Sequence, residues 1–212
     1  MLLVVETHNR ADYPALIDAM HILRARVFRD RLQWDVNVVD GREIDQFDSE
    51  DPLYLLSVND KTQRLEGCVR LLPTTGPNML RDVFSVLLPE GGEIESPIIW
   101  ESSRFCIDPD LPSSGNGRIN RTTTELLCGL VEVGLKAGLS HIVSVYDARM
   151  ARIFRSANCP AETIGTPVRI GRVQTYAGLF EITPQLREDI ATAGGLNKPV
   201  FSSPQLHQAS AA

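Results

Sequence analysis

The sequence predicts a single α/β domain built on a mixed, mostly antiparallel twisted sheet with helices on both sides. Short apolar, β-branched segments alternate with segments whose apolar residues recur every three or four positions. The chain of 212 residues is long enough for one large α/β domain, and it shows no internal repeat and no clear interdomain linker. We expect the domain to span residues 1–194 and a flexible tail to span residues 195–212, which are small and polar.

The first quarter of the chain predicts a strand, a helix and a long ordered loop. The strand is MLLVVET (1–7). A helix is predicted over 11–31, where Arg24 and Phe28 are four residues apart and share a face. Residues 32–50 have no sustained period and contain many acids, which is typical of a loop that carries function. The apolar face of the helix consists of Leu16, Ala19, Met20, Leu23 and Val27.

The middle of the chain predicts a hairpin, a short helix and a central strand. The hairpin strands are LYLLSV (53–58) and LEGCVRLLP (65–73), with the turn KTQR between them. MLRDVFSVLL (79–88) indicates a short helix, and the turn-rich segment 89–97 is a connector. IIWESSRFCID (98–108) indicates a central strand, which carries both Glu and Arg.

The second half predicts alternating helices and strands after a polar loop at 108–120. A strong helix over 122–138 carries an apolar stripe and ends at Gly138. Parallel pairing among the later strands would open a cleft at their ends, a usual place for ligands. The remaining elements in order are a strand at 140–147, a helix at 148–158, strand segments at 162–165 and 168–182, and a helix near 183–193.

Composition excludes several classes of protein. A net charge of −6 argues against a general nucleic-acid binder. The four cysteines form no CxxC pair and no zinc pattern with the histidines, so we expect buried free thiols and no metal site. MLLVVET is too short for a signal sequence or a membrane span. We therefore expect a cytoplasmic protein with neither a nucleic-acid nor a membrane partner.

Charged and aromatic residues from several segments predict an internal polar site. Few of these positions are explained by core packing, and buried charges persist only when they are paired. Alternating acids and bases suit a small zwitterionic substrate that carries an ammonium and a carboxylate. The set consists of Arg24, Phe28, Trp34, Asp45, Asp48, Arg70, Glu101 and Arg104.

The EIDQFD segment admits two interpretations. Asp45 and Asp48 share a face only if the segment is helical or turned. A solvated acidic loop is the simpler interpretation, but Phe47 and the nearby Trp34 weaken it because aromatic residues in a loop usually dock somewhere. An aromatic face beside a carboxylate would suit a sulfonium or ammonium ligand.

The central strand carries the second indication of a site. In a regular strand Glu101, Ser103 and Phe105 face one way, and Ser102 and Arg104 face the other. A β-bulge near Ser102–Ser103 would bring both charges towards one cleft and free backbone N–H groups to hold an acyl carbonyl oxygen. The alternative is a structural network of Glu and Arg ion pairs, which can itself build a pocket.

The loop before the strong helix gives a weaker indication of a phosphate site. Gly115 and Gly117 permit close backbone approach, and Arg118 and Arg121 could contact a phosphate. The segment matches no dinucleotide or P-loop pattern. Ordinary helix capping explains it equally well.

The chain resembles the acyl-homoserine-lactone synthases, also called autoinducer synthases, in the order and spacing of several short motifs. The resemblance covers roughly residues 1–180, and all eight positions of the polar set above are family hallmarks. It implies a fold similar to that of the GCN5-related N-acetyltransferases, with a V-shaped cleft in the sheet. The motifs are L-R-x-x-x-F (Leu23 to Phe28), Trp34, E-x-D-x-F-D (Glu43 to Asp48), C-x-R-L (Cys68 to Leu71), P-N-M-L (Pro77 to Leu80) and E-x-S-R-F (Glu101 to Phe105).

The resemblance also implies a reaction that makes a quorum-sensing signal. S-adenosylmethionine is a substrate and supplies the amine, so no cofactor is expected. An acyl thioester of acyl-carrier protein or coenzyme A supplies the acyl chain. The amine attacks the thioester, and the substrate carboxylate then displaces methylthioadenosine to close the lactone.

Roles for individual residues follow from this resemblance and from their chemistry. Glu101 is the candidate base, and a partly desolvated Glu has a raised pKa. The catalytic candidates are Glu101, Arg104, Asp45, Asp48 and Arg70. The candidates for binding S-adenosylmethionine are Arg24, Phe28, Trp34, Asp45, Asp48 and Arg104. The acyl-pocket candidates are Ser103, Phe105, Ser144, Val145 and Met150; a hydroxyl near Ser144 bears on tolerance of a 3-oxo group.

Two other functions remain to be weighed. A GCN5-related N-acyltransferase for a different amine would be expected to show an R/Q-x-x-G-x-G/A phosphate loop, which this chain lacks. A non-catalytic ligand-binding domain of the same fold is disfavoured by the intact Glu101. An acidic carrier protein would need a basic patch, either Arg149, Arg152 and Arg155 on one helix or Arg118 and Arg121, but a solvated helix face explains the first of these equally well.

Overall fold

The computed structural model describes residues 1–111 and 119–201. Five α-helices are present in these ranges: α1 (Pro14–Ala25), α2 (Met79–Asp82), α3 (Arg121–Ala137), α4 (Ala148–Ser156) and α5 (Pro184–Gly194). The strands are β1 (Leu2–Val5), β2 (Val38–Val39), β3 (Arg42–Glu43), β4 (Leu53–Val58), β5 (Leu65–Pro73), β6 (Ile99–Ile107), β7 (His141–Asp147), β8 (Glu162–Ile170) and β9 (Val173–Glu181).

One seven-stranded sheet forms the centre of the domain, in the order β1-β4-β5-β6-β7-β9-β8. Within the described residues β6 and β7 pair in parallel, and every other neighbouring pair of this sheet is antiparallel. The predicted mixed, mostly antiparallel sheet is therefore confirmed. Parallel pairing of the later strands holds for this one pair, because β8 and β9 form a hairpin that returns antiparallel to β7.

The two central strands separate to form a V-shaped cleft. Strands β6 and β7 are in register only from Ile99 opposite His141 to Ser102 opposite Ser144. Beyond that point β6 continues beside β5, and β7 continues beside β9. The hydroxyl of Ser144 donates a hydrogen bond to the carbonyl oxygen of Ser102 (2.9 Å), which closes the apex of the V.

Helices cover both faces of the sheet and bury two separate cores. On one face α3 and α5 pack together over β4, β5, β7 and β9, around residues such as Leu55, Leu126 and Ile190. On the other face α1 buries Met20 and Leu23 against the sheet. Each fully buried aliphatic side chain contributes roughly 1.5–3 kcal/mol, so these two layers supply most of the driving force for folding.

The first helix is shorter than the predicted 11–31. Helix α1 begins at Pro14, a residue favoured in the first turn. A 3₁₀ turn at Arg10–Asp12 precedes it, and a single π-helical segment at Arg26–Arg31 follows it. The whole segment is therefore helical, but its geometry changes just after Arg24. Such π-helical turns are frequent at functional sites, and this one carries Phe28.

Other predicted elements also differ in detail. The predicted helix at 79–88 divides into α2 and a 3₁₀ turn at Ser85–Leu87. The loop at 32–50 contains the small β2–β3 hairpin and a 3₁₀ turn at Gln46–Ser49. Gly138 ends α3 in the left-handed conformation (φ 70°), as predicted. All four cysteines are free and buried.

The chain packs on the domain beyond residue 194. Arg187 donates to the carbonyl of Lys198 (2.7 Å), and the backbone N–H of Val200 donates to Glu132 (3.1 Å). These contacts extend the ordered packing to residues that we expected to belong to the tail; residues 202–212 lie outside the described part. In the ranges that the structure covers, no helix is long and apolar enough to cross a membrane.

Candidate active site

A β-bulge in β6 determines which side chains reach the site. Strand β5 offers one residue, Val69, where β6 offers two, Arg104 and Phe105. Arg104 adopts a left-handed backbone conformation (φ 55°), which is uncommon outside glycine. As a result Ser103 and Arg104 both face the α1 side, whereas Phe105 packs into the core beneath α3.

The bulge lies two residues beyond the predicted position at Ser102–Ser103, but it has the predicted consequence. Glu101 and Arg104, which regular alternation would place on opposite faces, meet at Met79. The backbone N–H of Met79 donates to Glu101 Oε2 (2.9 Å), and its sulfur lies 3.2 Å from Arg104 Nη1. A shift in strand register thus creates one cleft that holds both charges.

Glu101 is almost fully buried at the start of α2. Its side chain is 1% exposed, and its second oxygen accepts a hydrogen bond from the backbone N–H of Leu80 (2.6 Å). Burial raises the pKa of Glu101 to about 6, although the two backbone hydrogen bonds and the charges of Arg70 and Arg104 act in the opposite direction. A carboxylate with this pKa is well matched to general base catalysis near neutral pH.

A network of arginines and carboxylates lies beside Glu101. Arg24 is 0% exposed and grips Asp48 with two hydrogen bonds (2.7 and 2.9 Å), while its Nε donates to Glu43. Arg70, also fully buried, grips Asp45 in the same bidentate way (2.5 and 2.9 Å). Bidentate pairs of this kind fix the orientation of both groups.

Arg104 completes the network and joins it to the cleft. Its Nη2 lies 2.8 Å from Glu43 and 2.7 Å from Asp45. Arg24, Arg70 and Arg104 therefore balance three carboxylates, those of Glu43, Asp45 and Asp48. This balance lets so many charges persist in the interior, because an unpaired buried charge is strongly destabilising.

The EIDQFD segment folds into a local motif that explains its spacing. Asp45 caps the 3₁₀ turn by accepting a hydrogen bond from the N–H of Phe47 (3.0 Å). Asp48 reciprocates by accepting from the N–H of Asp45 (2.9 Å). The three-residue spacing thus points both carboxylates at the arginines, and Phe47 is buried beneath the guanidinium of Arg70 at 5.5 Å. The solvated acidic loop is ruled out.

The network keeps the carboxylate of Asp48 ionised. Burial alone would raise the pKa of Asp48, but hydrogen bonds from Arg24 and the charges of Arg24 and Arg70 outweigh it and hold the pKa well below its usual range. The hydroxyl of Tyr54 donates to Asp48 (2.7 Å), and burial together with this negative charge raises the pKa of Tyr54. Asp48 therefore stays charged throughout the physiological pH range.

A continuous cavity of about 1420 Å³ passes through the V of the sheet. On the α1 side it is lined by Phe28 and Trp34, whose rings stack at 5.2 Å, together with Asp45, Glu101 and Arg104. On the α3 side it is lined mainly by apolar side chains. The volume exceeds the roughly 300–1,000 Å³ of an ordinary small-molecule site, which leaves room for two substrates.

Comparison with known proteins identifies the family. The family model "Autoinducer synthase" matches residues 8–190, most of the chain. The chain belongs to the autoinducer synthase family. An acyl-homoserine-lactone synthase of Agrobacterium fabrum is 39% identical to it over 199 residues, covering 93% of this chain and 94% of the relative. The resemblance seen in the motifs is therefore confirmed, and the chain is an acyltransferase of this family.

Solved structures agree with this assignment. BjaI, a coenzyme A-dependent acyl-homoserine lactone synthase solved with S-adenosylmethionine and isopentyl-CoA, superposes with a TM-score of 0.82 at 26% identity, covering 94% of this chain and 91% of that one. A Lactobacillus plantarum protein described as an N-acetyltransferase matches with a TM-score of 0.55 at 14% identity, covering 86% and 99% of the two chains, which is a likeness of fold alone. The predicted similarity to N-acetyltransferases is confirmed.

The structure separates the predicted site residues of this autoinducer synthase into two layers. Arg24, Asp48 and Arg70 lie behind the cavity wall, where they hold Asp45, Glu43 and Arg104 in place. The other predicted residues line the cavity: Phe28, Trp34, Asp45, Glu101, Ser103, Arg104, Phe105, Ser144, Val145 and Met150.

Sequence reasoning missed two residues of the site. Glu43 is fully buried and bridges Arg24 and Arg104, whereas the sequence places it only at the first position of the E-x-D-x-F-D motif, with no role of its own. Its two-residue spacing from Asp45 was an available signal, since extended residues two apart share a face. Met79 positions both Glu101 and Arg104 through backbone and sulfur contacts, and nothing in its local sequence indicates this.

Two further predictions concern regions away from the network. Gly115, Gly117 and Arg118 lie outside the described residues, and Arg121 pairs with Glu125 in the next turn of α3 (2.6 Å). Within the described ranges, no cluster of three or more His, Cys, Asp or Glu side chains is placed to hold a metal ion. The polar site is thus built from ion pairs and backbone groups.

Proposed function

We propose that this autoinducer synthase acylates the amine of S-adenosylmethionine with an acyl thioester and then closes the homoserine lactone ring. The observation that carries this proposal is the single cavity that joins a polar pocket on the α1 side to an apolar tunnel on the α3 side through the V of the sheet. A zwitterionic substrate and an acyl chain can therefore reach the gap from opposite faces and meet there.

Glu101 is the group best placed to start the acylation. It takes a proton from the substrate ammonium, directly or through a water, and the free amine attacks the thioester carbonyl carbon. The C–S bond then breaks and the thiolate leaves, taking up the second proton that the nitrogen gives up as the amide forms, so that the free thiol is released. Holding both reactants in one cavity reduces the entropic part of the barrier.

The bulge offers a place for the oxyanion of this step. A β-bulge leaves one residue out of the regular ladder, and here that residue lies at Arg104–Phe105, on the edge of the V. We assign the backbone N–H groups of this segment to the developing negative charge on the carbonyl oxygen. One such donor is typically worth about 10²–10³ in kcat.

Arg104 and Asp45 are suited to orient the substrate zwitterion. The Nε and Nη2 atoms of Arg104 are engaged by Glu43 and Asp45, whereas its Nη1 lies against the weak acceptor sulfur of Met79. We assign Nη1 to the substrate carboxylate. Asp45, whose side chain is 15% exposed, is assigned to the ammonium. Phe28 and Trp34 form the wall for the adenosylsulfonium.

Lactonisation follows from positioning. The carboxylate oxygen attacks the γ-carbon of the same substrate, the bond from that carbon to the sulfonium sulfur breaks, and methylthioadenosine leaves as a neutral thioether. The step consumes no proton and requires no cofactor. A carboxylate held by Arg104 while the amide nitrogen is fixed at the gap would bring the chain into the folded-over geometry that ring closure needs.

Basic residues at the mouth of the cavity support a phosphate-bearing acyl donor. Arg31, Arg149 and Arg172 line it, and all three are exposed. The pKa of Arg31 is lowered by partial burial and by the positive charge of Arg149, which reflects repulsion between the two guanidinium groups. Acyl-carrier protein and coenzyme A both present phosphate on the arm that carries the thioester, and either would relieve this repulsion.

The test is to incubate the protein with S-adenosylmethionine and matched acyl-carrier-protein and acyl-coenzyme A thioesters. Mass spectrometry would follow the lactone, methylthioadenosine and the free thiol. The proposal expects all three to appear in equal amounts. Acyl transfer without methylthioadenosine would instead indicate an N-acyltransferase for another purpose, and binding without turnover would indicate a ligand-binding domain.

The raised pKa of Glu101 predicts the pH dependence of the reaction. Protonation removes the base, so kcat/KM is expected to fall about tenfold per pH unit as the pH drops below about 6. With an unperturbed Glu, this fall in kcat/KM on the acidic side of the pH profile would begin at about pH 4.3 instead. Initial rates between pH 5 and 8 measure this fall in kcat/KM, with the fold checked by circular dichroism at each pH. A profile that is flat down to pH 5 would contradict the role of Glu101.

A further inference from the structure

The part of the cavity on the α3 side is an apolar tunnel that continues well past the gap in the sheet. Its far end is formed by side chains from four different elements, all of them buried. In the described residues no charged side chain lines this end. The residues that form it are Leu130, Ile142, Phe180, Ile182, Leu186 and Ile190.

The sheet register gives the length of this tunnel. The carbonyl of the acyl group would lie at the apex of the V, where Ser144 ends the parallel pairing. The backbone N–H of Ile182 donates to the carbonyl of Ser140 (2.8 Å), so Ile182 lies level with Ser140. The four residue steps from Ser144 to Ser140 correspond to about 13 Å of strand at roughly 3.3 Å per residue.

That length corresponds to a long acyl chain. An extended hydrocarbon advances roughly 1.3 Å per carbon when C–C bonds are about 1.5 Å, so about 13 Å accommodates around ten carbons. Each buried methylene is worth about a fourfold gain in affinity. A short acyl group would leave the distal apolar surface of the tunnel without contacts.

We propose that this enzyme prefers straight fatty acyl chains of about ten carbons, with Ile182 as the residue that sets the limit. The inference rests on the proposed function and specifies its acyl substrate. Ile182 is suited to this role because it packs directly against α3: a Cβ added at Gly134 would lie 3.0 Å from its Cγ2 atom. Because α3 occupies this side of Ile182 and the residue lines the cavity, we expect a larger side chain at 182 to extend into the tunnel.

The test measures kcat/KM for hexanoyl to tetradecanoyl thioesters with the wild-type enzyme and two variants. In the wild type, kcat/KM is expected to rise at least tenfold from hexanoyl to decanoyl. Ile182→Phe should lower kcat/KM for decanoyl and dodecanoyl at least tenfold and leave hexanoyl within threefold. Ile182→Ala should move the optimum towards longer chains. Ile98→Phe, the same change at an exposed position, should match the wild type.

Two results would overturn the inference. One is a wild-type optimum at hexanoyl, and the other is an Ile182→Phe variant that loses all chain lengths equally. If no thioester yields methylthioadenosine, the proposed function itself fails. Calorimetric binding of acyl-coenzyme A then tests whether the tunnel accepts a long acyl chain. Decanoyl-coenzyme A binding at least tenfold more tightly than hexanoyl-coenzyme A would uphold the tunnel, and equal binding would reject it.

Discussion

Replacing Glu101 with glutamine is expected to lower kcat by a factor of about 10²–10⁴, the usual contribution of a general base. S-adenosylmethionine should still bind within a few-fold of the wild-type affinity, because Arg104, Asp45 and the Phe28–Trp34 wall remain. Single-turnover rates of thiol release, together with calorimetric binding of S-adenosylmethionine, measure the two quantities separately. Glu95→Gln, an exposed residue in the preceding connector, is the matched control and should behave as wild type.

A purely structural role for Glu101 predicts a different pattern. Both carboxylate oxygens accept backbone hydrogen bonds at the start of α2, and glutamine can satisfy only one of these donors, at a cost of about 1–3 kcal/mol. Glu101→Asp separates the possibilities, because it keeps the charge but withdraws it by one methylene. It should retain an acid limb in its pH profile and exceed Glu101→Gln in rate. Equal, small losses of rate in both variants would contradict the assignment of Glu101 as base.

Replacing Glu43 with glutamine is expected to destabilise the protein by about 3 kcal/mol, because removing one partner from a buried ion pair leaves an uncompensated charge. Glu43 bridges the fully buried Arg24 and the cavity-lining Arg104, so each of these two guanidinium groups loses one of its counter-charges, and the network keeps three arginines for the two carboxylates of Asp45 and Asp48. Arg104 would also become free to turn away from the cavity, and we expect KM for S-adenosylmethionine to rise at least tenfold. Urea unfolding and steady-state kinetics provide the two measurements.

The matched control for this change lies in the same loop. Glu50 is exposed, so Glu50→Gln should alter stability by less than about 0.5 kcal/mol and leave KM unchanged. If Glu43→Gln and Glu50→Gln had the same free energy of unfolding, the cost of desolvating the buried ion pairs would equal the stabilisation that their attraction provides. If Glu43→Gln lost much stability but kept its KM for S-adenosylmethionine, the ion-pair network would stabilise the fold without contributing to substrate binding.

Local sequence predicted those features that local forces decide. The three-residue spacing in EIDQFD lets Asp45 and Asp48 share a face only if the segment is turned, and the sequence left a solvated loop open; the reciprocal capping hydrogen bonds provide the turn. Gly138 marked the end of α3 because a left-handed residue is needed there. The elements of the sheet, and the charged residues that meet between them, followed from periodicity and from the improbability of unpaired buried charge.

Features that depend on distant contacts were not predictable in the same way. The bulge lies at Arg104–Phe105 because β5 and β6 change register there, and register is set by pairing across the sheet. Glu43 is buried because the β2–β3 hairpin folds onto α1, where His21 contacts its backbone carbonyl at 2.9 Å. The division of the arginines into a lining residue and two supporting ones likewise requires the tertiary structure.

We propose that the two substrates enter one cavity from opposite faces of the sheet and react in the V between β6 and β7. A crystal structure of the Glu101→Gln variant with S-adenosylmethionine and decanoyl-coenzyme A tests it most directly. We expect the substrate amine to lie beside residue 101, the thioester carbonyl between Phe105 and Ser144, and the acyl chain beneath α3. An acyl chain on the α1 side, or an amine remote from residue 101, would contradict it.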